Sequence, residues 1–173
     1  MLAALFAVLL VALALAVGPG RALFSQAAHA LGLRKTPEAA RVGSAFPALA
    51  LAHLDGSPAT LDQHGTIVYN VFASWCPPCN AELPDVLRAH NDLKKQGVRF
   101  IGIDRGEPAA RVSSFIAARG IDYPVLLDTS SSTATLLGAR VIPETVIVHN
   151  GTVAKVIVGP TTTSELEQAV QNV

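Results

Sequence analysis

The chain has 173 residues, with Lys+Arg and Asp+Glu both at 13, so its formal net charge is zero and no basic run breaks that balance. A nucleic-acid surface shows clustered positive charge, so this balance argues against nucleic acid as a partner. Two cysteines are too few for a disulfide scaffold. About 130 residues remain after the apolar N-terminus, enough for one domain with its own core.

Residues 2–17 carry no polar side chain, and Gly18-Pro19-Gly20 ends the run. Its length lies between a signal-peptide core of roughly 7–15 residues and the ~20 residues that span a bilayer. It predicts a signal sequence or a single membrane anchor at 1–24, with the anchor favoured. Arg21, Arg34, Lys35 and Arg41 lie after the run and no Lys or Arg precedes it. By the positive-inside rule that pattern opposes export of the downstream domain, a conflict that a basic start upstream or a partner-assisted leader would remove. Residues 25–42 predict a linker, and 43–173 the folded domain.

Within that domain, residues 48–53 and 59–61 flank Asp55-Gly56 and predict a small hairpin with His53 and His64 on the surface. Thr66 to Phe72 is apolar and rich in β-branched and aromatic residues, a buried strand. Leu83, Val86, Leu87, His90 and Leu93 have helical spacing, predicting a helix from about 77 to 96 with Pro84 inside it and Gly97 as its C-cap. Val98 to Asp104 predicts a strand. Glu107 to Arg119 predicts a helix with Pro108 in its first turn, Gly120 after its end and an apolar face of Val112, Phe115 and Ile116. Tyr123 to Leu127 predicts a short strand and Ser132 to Leu137 a short helix. Strands at 145–149 and 152–158 surround Asn150-Gly151, a strong hairpin signal. Thr162-x-x-Glu165 is a capping box that opens a last helix to about Val170. This order is an α/β fold with a mixed sheet flanked by helices.

Trp75-Cys76-Pro77-Pro78-Cys79 holds both cysteines at the junction of the buried strand and the long helix. A thiol there faces the positive end of the helix dipole, which favours the thiolate. A second cysteine three positions on can resolve a mixed disulfide. Other uses of the pair fit less well. Zinc needs about four ligands, and His29, His53, His64, His90 and His149 are scattered, so no metal site is expected. A structural disulfide of this span closes a very small loop and adds little stability. A c-type haem site would place His where Asn80 stands.

The run Asn70-Val71-Phe72-Ala73-Ser74-Trp75-Cys76-Pro77-Pro78-Cys79, then Glu82 and Pro84, then Val98 to Asp104, then Ile142-Pro143-Glu144-Thr145, resembles the TlpA/ResA/CcmG-type proteins of thioredoxin-like fold. The extra helix and strand at 107–127 match the same subgroup. The resemblance covers about residues 43–171. It departs at Ala73, where a Trp is frequent, and in the leader's lack of a basic start.

The resemblance implies an extracytoplasmic, membrane-tethered thiol–disulfide oxidoreductase on the periplasmic side. Its cofactor would be none beyond the redox-active Cys76–Cys79 disulfide. Cys76 would be the exposed attacking thiol and Cys79 the buried resolving thiol. Pro143 would be the cis proline beside the disulfide, Ile142 would offer backbone groups to a substrate strand, and Trp75 would shield the site. Expected partners are proteins with disulfides, the CxxCH site of apocytochrome c among them, an integral membrane thiol carrier as electron donor, and the membrane through the N-terminal segment.

Polar residues refine this reading. Cytoplasmic thioredoxins carry a buried Asp where this chain has Asn70, which takes no proton. Glu82 falls one turn after Cys79 on the same helix face. Burial would raise its pKa and fit it to accept the proton of Cys79 in the resolving step. Pro77 and Pro78 remove two N–H groups from the helix start beside Cys76. The thiolate is therefore expected to be less stabilised, and the couple more reducing, than in oxidising members of the fold. A disulfide oxidant or isomerase would use the same residues, and Cys76 and Cys79 could instead bind Cu(I) in a metallochaperone. A peroxiredoxin-type peroxidase would want Thr or Ser at Ala73 and a Pro near Val71.

Overall fold

A computed structural model of the protein describes residues 42–173. The expected leader at 1–24 and all but the last residue of the linker at 25–42 lie outside the described residues. Among the described residues no helix is long and apolar enough to cross a membrane.

The apolar run at the centre of the domain forms β1 (Thr66–Phe72), buried along all but its first residue. Such a strand must be covered on both faces and paired on both edges. β2 (Arg99–Asp104) pairs with it in parallel, from Ile67 opposite Arg99 to Phe72 opposite Asp104. β3 (Val125–Leu127) continues the parallel side. β4 (Glu144–His149) lies antiparallel on the other edge, with Asn70 opposite Thr145 and Val71 opposite Glu144. β5 (Thr152–Val158) returns through the Asn150-Gly151 turn. The sheet order is β3-β2-β1-β4-β5, a mixed five-stranded sheet.

α1 (Pro77–Leu93), α2 (Ala109–Arg119) and α3 (Thr163–Gln171) supply side chains to one core layer. Val86 and Leu93 of α1, Val112 of α2 and Leu166 of α3 pack there with Val68, Phe72 and Phe100 of the sheet. The second layer joins Ile67, Tyr69 and Val71 to Phe46, Leu49, Leu51 and Leu137. Phe46 stacks on Tyr69 with ring centroids 4.5 Å apart. This is the α/β architecture with a mixed sheet expected from the residue pattern, and the thioredoxin-like fold that the family resemblance implies.

Four local expectations are corrected. The helix expected from Glu107 begins at Ala109, with Pro108 as its N-cap, because the Glu107 side chain is drawn back to Ser74. Of that helix's expected apolar face, Val112 is buried while Phe115 and Ile116 are half-covered. The hairpin expected around Asp55-Gly56 is reduced to one bridge between Ala52 and Pro58, since Pro58 has no N–H for a ladder and Ala52 bonds instead to Leu127. The short helix near 132–137 is a single wide turn of π type at Thr133–Leu137, nucleated by Asp128, which accepts from the amides of Ser132 and Thr133.

Candidate active site

β1 delivers the chain to Ala73, and α1 starts two residues before Cys79. Cys76 is the N-cap of α1, in extended conformation, and its Sγ accepts the N–H of Cys79 at 3.2 Å. The two cysteines form a disulfide with Cα atoms 5.3 Å apart. Pro77 and Pro78 occupy N1 and N2. The backbone donor to Cys76 Sγ is thus the N3 amide, and the N2 position has no N–H to offer.

Cys76, expected to be exposed, is 2% exposed in the disulfide. Its sulfur is bonded to Cys79 and lies 3.9 Å from the carbonyl oxygen of Ile142. That carbonyl belongs to the loop with the cis Ile142–Pro143 bond, which carries a half-buried Ile142 and a buried Pro143. Trp75 and Val141 flank the disulfide in sequence and across this loop, and each is 61% exposed. Trp75 therefore offers a face to solvent as well as bordering the site. Pro77, Pro78 and Pro84 are exposed on the helix.

Asn70 and Glu82 meet under this surface. Glu82 is 3% exposed. Its Oε1 accepts from Asn70 Nδ2 at 2.9 Å and its Oε2 from the Thr161 amide at 2.9 Å. Asn70 Nδ2 also donates to Thr145 Oγ1 at 3.2 Å. Burial pushes the Glu82 carboxyl above its ordinary range, against the pull of these two donors. Glu144, directly after Pro143, is also buried, and its Oε1 meets no donor. Burial raises its pKa to about 7, with Arg105 opposing the rise.

Other groups at the site escaped the sequence reading. Asn80 entered it only as a residue that is not His. Its Nδ2 donates to the carbonyls of Ser74 and Cys76, each at 2.9 Å, and its Oδ1 accepts from Arg119 at 2.8 Å. The carboxylate of Glu107 accepts from both the amide and the hydroxyl of Ser74. Asp104 lies at the end of β2, fully buried. An acidic pair, Asp104 and Glu107, closing an apolar strand around Gly106 was the available signal.

A disulfide at a helix N-terminus, a carbonyl-bearing loop against it and a buried carboxyl on the same helix are groups that thiol–disulfide exchange can use. The Redoxin family profile matches residues 41–172. The thiol–disulfide oxidoreductase ResA of Geobacillus thermodenitrificans is 30% identical over 138 residues, which are 78% of this chain and 79% of that protein. ResA of Bacillus subtilis is 31% identical over 125 residues, 70% of each chain. Among solved structures, a thiol:disulfide interchange protein of the thioredoxin family from Chlorobium tepidum superposes with a TM-score of 0.65 at 28% identity, covering 77% of this chain and 97% of that one.

Proposed function

The chain belongs to the Redoxin family and is a thiol–disulfide oxidoreductase, and from this premise we propose that it works as a reductant of protein disulfides outside the cytoplasm, in cytochrome c maturation. The observation that carries the reductant direction is the proline at N2. Cys76 Sγ receives the Cys79 amide, and Pro78 has no N–H to add. A thiolate with fewer donors makes the reduced form less stable and the couple more reducing.

In this reading the reduced enzyme attacks with the Cys76 thiolate. An S–S bond forms between Cys76 and one substrate sulfur, and the other substrate sulfur leaves as a thiolate. Cys79 then gives its proton to Glu82 and attacks Cys76 Sγ. The Cys76–Cys79 bond forms, the second substrate sulfur leaves, and two electrons have passed to the substrate. Burial of Glu82, which raises its affinity for a proton, supports its role as acceptor. Trp75, Ile142 and Pro143 would bind the substrate strand, with the Ile142 carbonyl beside Cys76 supporting that assignment. An integral membrane thiol carrier would restore the dithiol, and residues 1–24 would tether the domain to the membrane.

A peptide carrying a CxxCH disulfide tests this function. The reduced protein should convert it to the dithiol stoichiometrically. Failure with that peptide, alongside reduction of unrelated protein disulfides, would remove the cytochrome c assignment and leave the general reductase.

A further inference from the structure

The chain from Glu107 to Arg119, which contains α2, is tied at both its ends to the loop that carries the disulfide. At its start, Glu107 holds the amide and hydroxyl of Ser74, two residues before Cys76. At its end, Arg119 holds Asn80, whose amide nitrogen grips the carbonyls of Ser74 and Cys76. The N–H and hydroxyl of Ser74 are thus held by Glu107 and its carbonyl by Asn80.

Glu107 is itself fixed. Its amide donates to Asp104 Oδ1 at 2.9 Å, across the turn at Gly106, whose φ is +81°. Asp104 Oδ2 is buried and meets no donor, so an ionised Asp104 would leave a bare charge beside the Glu107 carboxylate. A proton on Asp104, donated to Glu107, removes that conflict. Burial and this contact raise the Asp104 carboxyl above its ordinary value. Glu107 ends below its own, because the bonds from Ser74 and Asp104 outweigh its burial. The other charged group facing Glu107 is Arg111 of α2, 3.8 Å from Oε1. Asp128, after β3, touches Asp104 through its backbone amide.

We propose that Glu107 is a positioning residue for Cys76, and that α2 clamps the Ser74–Cys76 loop through Glu107 at one end and Arg119 with Asn80 at the other. The clamp keeps the Ser74 N–H bonded to the Glu107 carboxylate, so that this amide is not free to donate to the sulfur two residues on. This holds the Cys76 thiol above the value it would have without Glu107. The proposal rests on Cys76 being the attacking thiol, but its test does not need reductase activity.

The test is the pH dependence of alkylation of Cys76 by iodoacetamide in the reduced full chain, together with kcat/KM for a disulfide peptide. In Glu107→Gln the Cys76 pKa should fall by about half a unit or more, since a neutral amide holds the Ser74 N–H less firmly than a carboxylate and frees it to stabilise the thiolate. The loop loses its fixed geometry, so kcat/KM should fall by about tenfold or more. Asp104→Asn, whose amide donates to Glu107 at every pH, should keep the wild-type Cys76 pKa. Ser74→Ala removes one bond at a half-buried site and serves should Glu107→Gln fail to fold; it should shift the pKa in the same direction by less. A Cys76 pKa and kcat/KM within experimental error of wild type in both Glu107→Gln and Ser74→Ala, whatever their melting temperatures, would overturn the proposal. An inactive wild type with a shifted Cys76 pKa in Glu107→Gln would uphold the clamp while defeating the proposed function.

Discussion

Asn70 Nδ2 donates to Glu82 Oε1 at 2.9 Å, tying the central strand to the active-site helix through a residue that carries no proton of its own to titrate. In this pairing Glu82 is the single titrating partner, and burial holds its carboxyl above the ordinary range. Glu82→Gln keeps a similar shape but cannot accept the Cys79 proton. The resolving step, followed as decay of a mixed disulfide on Cys76, should slow by about 10²-fold and lose its dependence on pH through the Glu82 titration. An unchanged pH profile would remove Glu82 from proton transfer.

Asn70→Asp tests the same contact from the strand. It places two carboxyls at hydrogen-bond distance, which can share one proton but cannot both ionise cheaply. The variant should match wild type in acid and lose about 1–3 kcal/mol as pH rises past neutrality, read from denaturant unfolding.

Glu144 makes a different prediction, about stability. Its carboxyl is raised from 4.5 to about 7 in the folded protein. Between those values the native state keeps a proton that the unfolded chain releases. The stability from this group is therefore complete below pH 4.5 and is lost as pH rises through 7. Glu144→Gln removes the loss, so it should stabilise the protein at pH 8 by on the order of 1–3 kcal/mol and have little effect in mild acid. Equal effects at both pH values would contradict the assignment.

Gly102 marks how closely the sheet packs behind the site. A Cβ there would meet Phe72 and Val125 side-chain atoms at 3.0 Å and Tyr123 at 3.3 Å. Gly102→Ala should destabilise by about 1–3 kcal/mol in thermal or denaturant unfolding, because three ring or branched side chains must move together.

Much of this architecture was legible because the signals were local. The run from Thr66 to Phe72 has the composition of a doubly covered strand, and it is one. Asn150-Gly151 forms its turn, with both residues at positive φ. Thr162 caps the last helix by accepting from the Glu165 amide, though the Glu165 side chain turns to Thr161 and not back to the cap. The parts that were not legible depend on contacts distant in sequence. Glu107 has the look of a first-turn helix acid, yet it is claimed by Ser74, 33 positions away. The family resemblance makes Cys76 an exposed thiol, yet its sulfur lies against Ile142, 66 positions away. Asp55-Gly56 has the turn chemistry, and Asp55 does accept from Ser57, but Pro58 cannot extend the ladder.

Pro78 carries the directional part of the account. Pro78→Ala restores an N–H at N2, where a cap side chain ordinarily finds a donor. A hydrogen bond to a charged group contributes about 1.5–3 kcal/mol, and 1.4 kcal/mol is about 30 mV in a two-electron couple, so the potential should rise by roughly 30–60 mV. No rise would show that the prolines do not set the couple.

The most direct measurement is the reduction potential of the Cys76–Cys79 pair, obtained by equilibrating the protein against glutathione or dithiothreitol. The account predicts a value near or below thioredoxin's ~−270 mV, that of a reductant which must itself be re-reduced. A value near the ~−120 mV of DsbA would make the protein an oxidant and contradict the reading of Pro78 on which the proposed direction rests.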